Sequence, residues 1–210
     1  MVRPMTRLID TVEDIAEGAA ALAALDPAFA RLAKLTPPLR RRPAGFATLF
    51  QAIVGQQVST ASAAAIWARV EAGGLTTPAA VLDAGEEGLR AAGLSRPKIR
   101  YALALAGAEP AYEAHPDMPE AAVIADLIRI PGIGLWTAEI YALSALGRAD
   151  VFPAGDLALQ EAARILYDLE ARPDERTLRA MAQRWSPWRA VAARLLWELY
   201  RVEKQREGTL

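Results

Sequence analysis

Residues Leu127 to Asp156 read LIRIPGIGLWTAEIYALSALGRADVFPAGD, two helical runs about a glycine turn with a carboxylate at the far end. The spacing predicts a helix ending near Ile130, a turn Pro131-Gly132-Ile133-Gly134, and a second helix. A residue before proline is pushed out of the α region, so Ile130 closes the first helix. Gly132 and Gly134 permit backbone conformations and close approaches that a side chain would block. Amides at the start of the next helix lack intrahelical acceptors and suit a phosphate oxygen. A bare PGIG is an ordinary αα-corner. PGIGxWTA, with small Thr137 and Ala138 to pack the hairpin, is more than that.

Working outward, period-3.6 patterning dominates and no alternating strand is evident, so the chain reads as all-α with about ten helices. One helix is predicted over Thr11 to Leu25 and a short one from Pro27 to Leu35. The run Arg40-Arg41-Arg42-Pro43 reads as a linker. From Gly45 a helix is interrupted near Gly55 and resumes at Ser59, an N-cap candidate. Two short helices, Pro78 to Ala84 and Glu86 to Ala92, precede one capped by Ser95 that runs to Ala108. Residues 109–119 form an acidic, proline-containing loop. After the hairpin, helices open at Asp156, Pro173 and Pro187.

Composition narrows the chemistry. The chain has 210 residues, 53% of them hydrophobic, no cysteine and a single histidine, His115. Disulfides, thiol nucleophiles, zinc–thiolate sites and iron–sulfur clusters are therefore excluded, and so is a His-dependent triad. No apolar run approaches the roughly 18 residues that span a bilayer. The first residues carry acids and no signal-like apolar segment, so the expected location is the cytoplasm. The net charge of −1 conceals segregation. There is no acid between Asp26 and Glu71, where Arg31, Lys34, Arg40, Arg41, Arg42 and Arg69 stand. Gly88 to Ala108 is also acid-free and carries Arg90, Arg96, Lys98 and Arg100. Glu109, Glu113, Asp117, Glu120 and Asp126 lie in a stretch without Lys or Arg. Such patterning gives either a basic face or ordinary solvated helix surface.

Asp156 follows Gly155 at a helix start, where most aspartates simply cap. A carboxylate there can also stabilise a developing sugar oxocarbenium ion and activate water. Asp150 is a rival, and residue chemistry leaves the choice open. In the last helix Trp188, Val191, Ala192, Leu195 and Leu199 share a stripe. Trp197 falls opposite it, among Ala193, Arg194, Arg201 and Lys204. Trp136 shares a face with Ile140 and Leu143, which predicts core packing. Indoles at either position could stack on a cationic base.

Three motifs, FATLFQAIVGQQVSTASAAAIWARV, the hairpin with ADVFPAGD, and QRWSPWRAVAARLLW, together resemble the helix-hairpin-helix (HhH-GPD) DNA glycosylases of the 3-methyladenine DNA glycosylase II type. The resemblance spans Gly45 to Arg201. It implies a two-lobed helical fold with the active site in the inter-lobe cleft, where a damaged base is flipped from double-stranded DNA. The implied division is residues 1–42 packing with the C-terminal lobe, a central lobe 43–148 containing the hairpin, and a C-terminal lobe 149–210 carrying the catalytic Asp. It makes Asp156 the catalytic aspartate, with Trp136, Trp197, Gln56, Ile140 and Tyr141 around the base. Gly132, Ile133, Gly134, Thr137 and Gln57 would contact DNA. Main-chain carbonyls of Ile128, Ile130 and Ile133 would hold a monovalent cation, sodium or potassium, with no cofactor required for the chemistry. Strand-cutting relatives carry a Schiff-base lysine immediately before the hairpin Thr-Ala. Trp136 stands there, so the resemblance implies a monofunctional hydrolase for alkylated bases, acting as a monomer without membrane or iron–sulfur partners. A non-catalytic helix-hairpin-helix DNA-binding module, or a glycosylase for hypoxanthine or uracil, are the competing readings. Three departures stand out. Gln57 occupies the place of an apolar wedge, Ile140 replaces a pocket aromatic, and the N-terminus leaves no room for an extra β-rich domain.

Overall fold

The computed structural model describes residues 7–108 and 110–207. Glu109 and the first residues, which enter the sequence-based charge and domain expectations above, lie outside these. The described residues contain no strand, only an isolated bridge between Leu8 and Arg148. The chain divides into two compact units, Met1–Arg41 with Gly147–Leu210, and Arg42–Leu146.

The continuous unit holds six helices among its described residues: α2 (Phe46–Gly55), α3 (Thr60–Ala72), α4 (Pro78–Ala91), α5 (Arg96–Ala108), α6 (Glu120–Ile128) and α7 (Leu135–Ser144). Numbering leaves α1 to the other unit. Caps explain the boundaries. Ser59 Oγ accepts from the Ser62 amide and Thr77 Oγ1 from the Ala80 amide, each satisfying a donor that the first turn leaves open. The two short helices expected around residue 85 are one element with a break, because Gly85 adopts φ 57° and ψ −161° inside α4. Helix α2 packs on α3, α5 and α7, α4 on α5, and α6 on α7. Leu49, Phe50, Ile53, Leu105, Leu127 and Tyr141 are buried at the centre. Lys98 reaches back into this core and donates from Nζ to the Val54 carbonyl at 2.7 Å, satisfying an acceptor at the end of α2. Burial pushes its ammonium below the ordinary lysine value.

The discontinuous unit contains α1 (Val12–Leu25), α8 (Leu157–Tyr167), α9 (Glu175–Ala182) and α10 (Arg189–Glu207), with 3-10 segments at Pro27–Leu32 and Gln183–Trp185. Thr11 and Asp14 form a reciprocal capping box at the start of α1. Helix α10 packs on α8 and on α1. The contact with α1 is close at Gly18, where an added Cβ would stand 2.6 Å from Trp188 and 2.7 Å from Val191. Trp185 is fully buried, edge-on to Phe29 and Phe152 and stacked on Tyr167. Its Nε1 donates to Asp26, which also accepts from the Tyr167 hydroxyl and the Ala28 amide and pairs with Arg184. Burial alone would raise the Asp26 carboxyl. The hydrogen bonds from Tyr167, Ala28 and Trp185 and the charge of Arg184 outweigh it and hold the group below its ordinary value.

Candidate active site

The hairpin is built as the sequence predicts, with two details that the sequence conceals. Pro131 has no N–H, so the Leu127 carbonyl is met instead by the Ile130 amide at 3.1 Å. The Ile133 amide donates to the Ile130 carbonyl at 3.0 Å, which closes the turn internally. The Ile133 amide, expected at the DNA, thus has an acceptor within the turn. At the start of α7, Gly134 is the N-cap and supplies no side-chain acceptor to the first-turn amides.

Gly132 has φ 92°, and an added Cβ would lie 2.3 Å from Cγ of Tyr101. Conformation and the Tyr101 ring both demand glycine here. Gln56, expected beside the base, donates from Nε2 to the Gly132 carbonyl at 3.0 Å. It ties the end of α2 to the hairpin turn. The next residue, Gln57, is exposed with φ 56°, the left-handed region that a non-glycine residue rarely occupies.

Helix α7 departs from its predicted faces. Trp136, expected in the core with Ile140 and Leu143, is 38% exposed, and Leu135 beside it is 41% exposed. They belong to the first turn, where α7 begins at the exposed Gly134. Deeper along the helix every direction is covered. Tyr141 is only 1% exposed, and its hydroxyl accepts from the Gly45 amide at 3.0 Å. Tyr141, expected beside the base, is thus packed in the core of this unit. Thr137, expected at the DNA, is 3% exposed. Ile140 is half-buried.

The carbonyls expected to hold a cation lie at the end of α6 and in the turn. Ile128 is the last residue of α6, whose final carbonyls have no i+4 amide, and Ile130 accepts only within the turn. Backbone carbonyl oxygens are a suitable donor set for sodium or potassium. The residues therefore fit such an ion. No group of three or more His, Asp or Glu suited to a metal occurs among the described residues.

In the other unit, Asp156 is the N-cap of α8. Its Oδ1 accepts from the Ala158 amide at 2.9 Å, the Leu159 amide at 3.1 Å and Trp197 Nε1 at 3.2 Å. Three donors on one oxygen fix the carboxylate plane. The preceding loop is anchored by Gln160, whose buried Nε2 donates to the Ala154 carbonyl at 3.0 Å. Arg179 reaches the Phe152 carbonyl at 3.4 Å. Asp150 is engaged differently. Arg189 grips it with Nε at 2.7 Å and a terminal nitrogen at 2.9 Å, and Ser186 Oγ donates at 2.7 Å. The rival carboxylate is thus a structural partner of the start of α10.

Trp197 is half-buried on α10. The face opposite the predicted stripe is not open along its length, because Ala193 is fully buried and Arg194 is 4% exposed. Arg194 donates to the Leu39 and Ala190 carbonyls. Its guanidinium is pushed down to about 10 by burial, then by Arg41 and Arg40. The anchors Gln160, Arg179 and Arg189 carry no sequence signal of their own. Each acts on a carbonyl or carboxylate that is remote in the chain or lies across a loop.

A helical hairpin with a glycine turn and a capped aspartate downstream define the class structurally. The description "HhH-GPD superfamily base excision DNA repair protein" matches residues 50–187. The chain belongs to this superfamily. It is 30% identical over 191 residues to DNA-3-methyladenine glycosylase 1 of Schizosaccharomyces pombe, covering 84% of each chain. Among solved structures, the 3-methyladenine DNA glycosylase of that yeast in complex with abasic DNA superposes with a TM-score of 0.77 at 29% identity, covering 90% of this chain and 97% of that one. A DNA-3-methyladenine glycosidase from Bacillus halodurans gives 0.79 at 29% identity, covering 95% and 94%. No helix among the described residues is long and apolar enough to cross a membrane.

Proposed function

We propose that the protein is a monofunctional DNA glycosylase that releases alkylated purines of the 3-methyladenine and 7-methylguanine kind from duplex DNA. The observation that carries this is the contrast between two aspartates. Asp150 is bound bidentately by Arg189, whereas Asp156 stands at a helix start with Oδ1 fixed by two amides and an indole N–H. The names of the similar proteins support the substrate class.

An alkylated purine carries a formal positive charge and leaves the sugar with the bonding electron pair as a neutral base. No acid has to protonate it. Cleavage of the bond to C1′ leaves an oxocarbenium ion, which the Asp156 carboxylate stabilises electrostatically. Water then attacks C1′, its proton passes to the carboxylate, and an abasic site results. In the unit of Asp156, the half-buried indole of Trp197 offers a face for a cationic base. Taken by itself, the other unit carries an exposed indole at Trp136. Amides at the start of α7 bind a backbone phosphate, and a monovalent ion on the Ile128, Ile130 and Ile133 carbonyls would add positive charge there. Trp136 fills the position of the Schiff-base lysine, so no covalent enzyme–DNA step follows.

The test is single-turnover release from duplexes bearing 3-methyladenine, 7-methylguanine, hypoxanthine or uracil, with Asp156→Asn in parallel. Release of the methylated purines, lost in the variant, is expected. Full activity of Asp156→Asn would sink the mechanism, and binding without any release would mark a non-catalytic binding module. A borohydride-trapped DNA adduct would refute the hydrolytic assignment.

A further inference from the structure

Helices α4 and α5 enclose a concavity of about 360 Å³, lined by Arg90, Arg96 and Arg100 over an apolar floor that includes Ile99 and Leu103. One acid, Glu86, lies at its edge, 3.6 Å from a terminal nitrogen of Arg90 in an exposed pair. Arg96 and Arg100 are exposed and make no ion pair among the described residues. The segment that supplies all three arginines, Gly88 to Ala108, contains no acid. Three positive charges are gathered here against one carboxylate, that of Glu86, an arrangement that favours an anionic ligand.

One side chain, Tyr101, lies between Arg100 at the concavity and the hairpin turn. The ring of Tyr101 lies against Gly132, so close that an added Cβ would overlap it. The Arg100 guanidinium lies 5.4 Å from the centroid of the same ring. Within one unit, Gly132 of the turn thus touches Tyr101, Tyr101 is next to the Arg100 guanidinium, and Arg100 shares the concavity with Arg96 and Arg90.

We infer that Arg90, Arg96 and Arg100 form a second contact with the phosphodiester backbone of the DNA held by the hairpin, extending its footprint beyond the lesion. This rests on the proposed DNA-glycosylase function. Guanidinium groups match phosphate oxygens in geometry and charge, and contacts of this kind add affinity without reading sequence. The exposed pair with Glu86 moderates the patch.

The experiment measures binding to an undamaged duplex by fluorescence anisotropy over a series of salt concentrations. The proteins compared are wild type, Arg90→Gln/Arg96→Gln/Arg100→Gln, and Glu86→Gln. Each neutralised phosphate contributes about −0.9 to the slope of log K against log salt, so the triple variant should lose roughly two to three in slope and bind at least about tenfold more weakly. Glu86→Gln should bind roughly two- to threefold more tightly, an effect that misfolding cannot mimic. The slope of the triple variant decides, and Glu86→Gln decides if the triple variant does not fold. A triple variant with wild-type affinity and slope overturns the inference. If wild type nonetheless releases 3-methyladenine, the glycosylase reading survives that result. A wild-type protein that neither binds duplex nor releases any base overturns both.

Discussion

Trp197 Nε1 donates to Oδ1 of Asp156 at 3.2 Å, so an indole on α10 shares one carboxylate oxygen with the first-turn amides of α8. The cap and the indole hold the carboxylate from two sides of the same unit. Trp197→Phe keeps an aromatic face but removes the N–H. A hydrogen bond to a charged group contributes about 1.5–3 kcal/mol, so single-turnover base release should fall by roughly tenfold or more. An unchanged rate would show that the amides alone orient Asp156.

The two aspartates should separate under conservative substitution. Asn is as good an N-cap as Asp, so Asp156→Asn should keep its urea midpoint while losing at least about a hundredfold in base release. Asp150→Asn removes charge from a partly exposed bidentate pair and should cost about 1–2 kcal/mol of stability, with base release retained at saturating DNA. Reversal of these outcomes would transfer the chemistry to Asp150.

Gly132→Ala places a methyl group against Tyr101 and forces a positive φ on an L residue. The expected loss is about 2 kcal/mol or more, read from urea unfolding. Adding Tyr101→Ala should recover part of it if the clash contributes. No recovery would assign the whole effect to backbone conformation.

Asp26 links stability to acid pH. Its carboxyl is held below the ordinary 3.8, so the folded state gains stability above that value and loses it as pH falls through the lower folded value. Unfolding of wild type and Asp26→Asn, compared at about pH 6 and about pH 3, should show a gap of at least about 2 kcal/mol that narrows in acid. A gap independent of pH would mean that the hydrogen bonds of Asp26 matter and its charge does not.

The fold was largely legible because its punctuation is local. Thr11, Ser59, Asp156 and Asp174 each cap the helix that follows, and the Gly85 break was visible as an interruption between two patterned runs. Facing was legible only where a helix has an open side. Around α7, Thr137, Ala138, Glu139, Tyr141 and Ala142 are all buried, so periodicity gave no means of placing Tyr141 or Trp136. Long-range partners left no trace either. Gln56 and Gly132 are 76 positions apart, and Asp150 and Arg189 are 39 apart. A glutamine that braces a turn looks the same in sequence as one that faces a ligand.

The way the two units use the chain has a consequence for synthesis on the ribosome. Arg42–Leu146 is uninterrupted, and near its ends the Arg42 amide donates to the Ser144 carbonyl at 3.0 Å. All of its own residues have emerged once that stretch has been made. Helix α1 is finished early, yet Trp188 and Val191, which close on Gly18, are translated only after that entire intervening unit. Domains generally form in the order in which their residues appear. Here the nascent chain should complete its middle first, with α1 packed on Pro27–Leu32 but its face at Gly18 waiting uncovered until Trp188 and Val191 arrive.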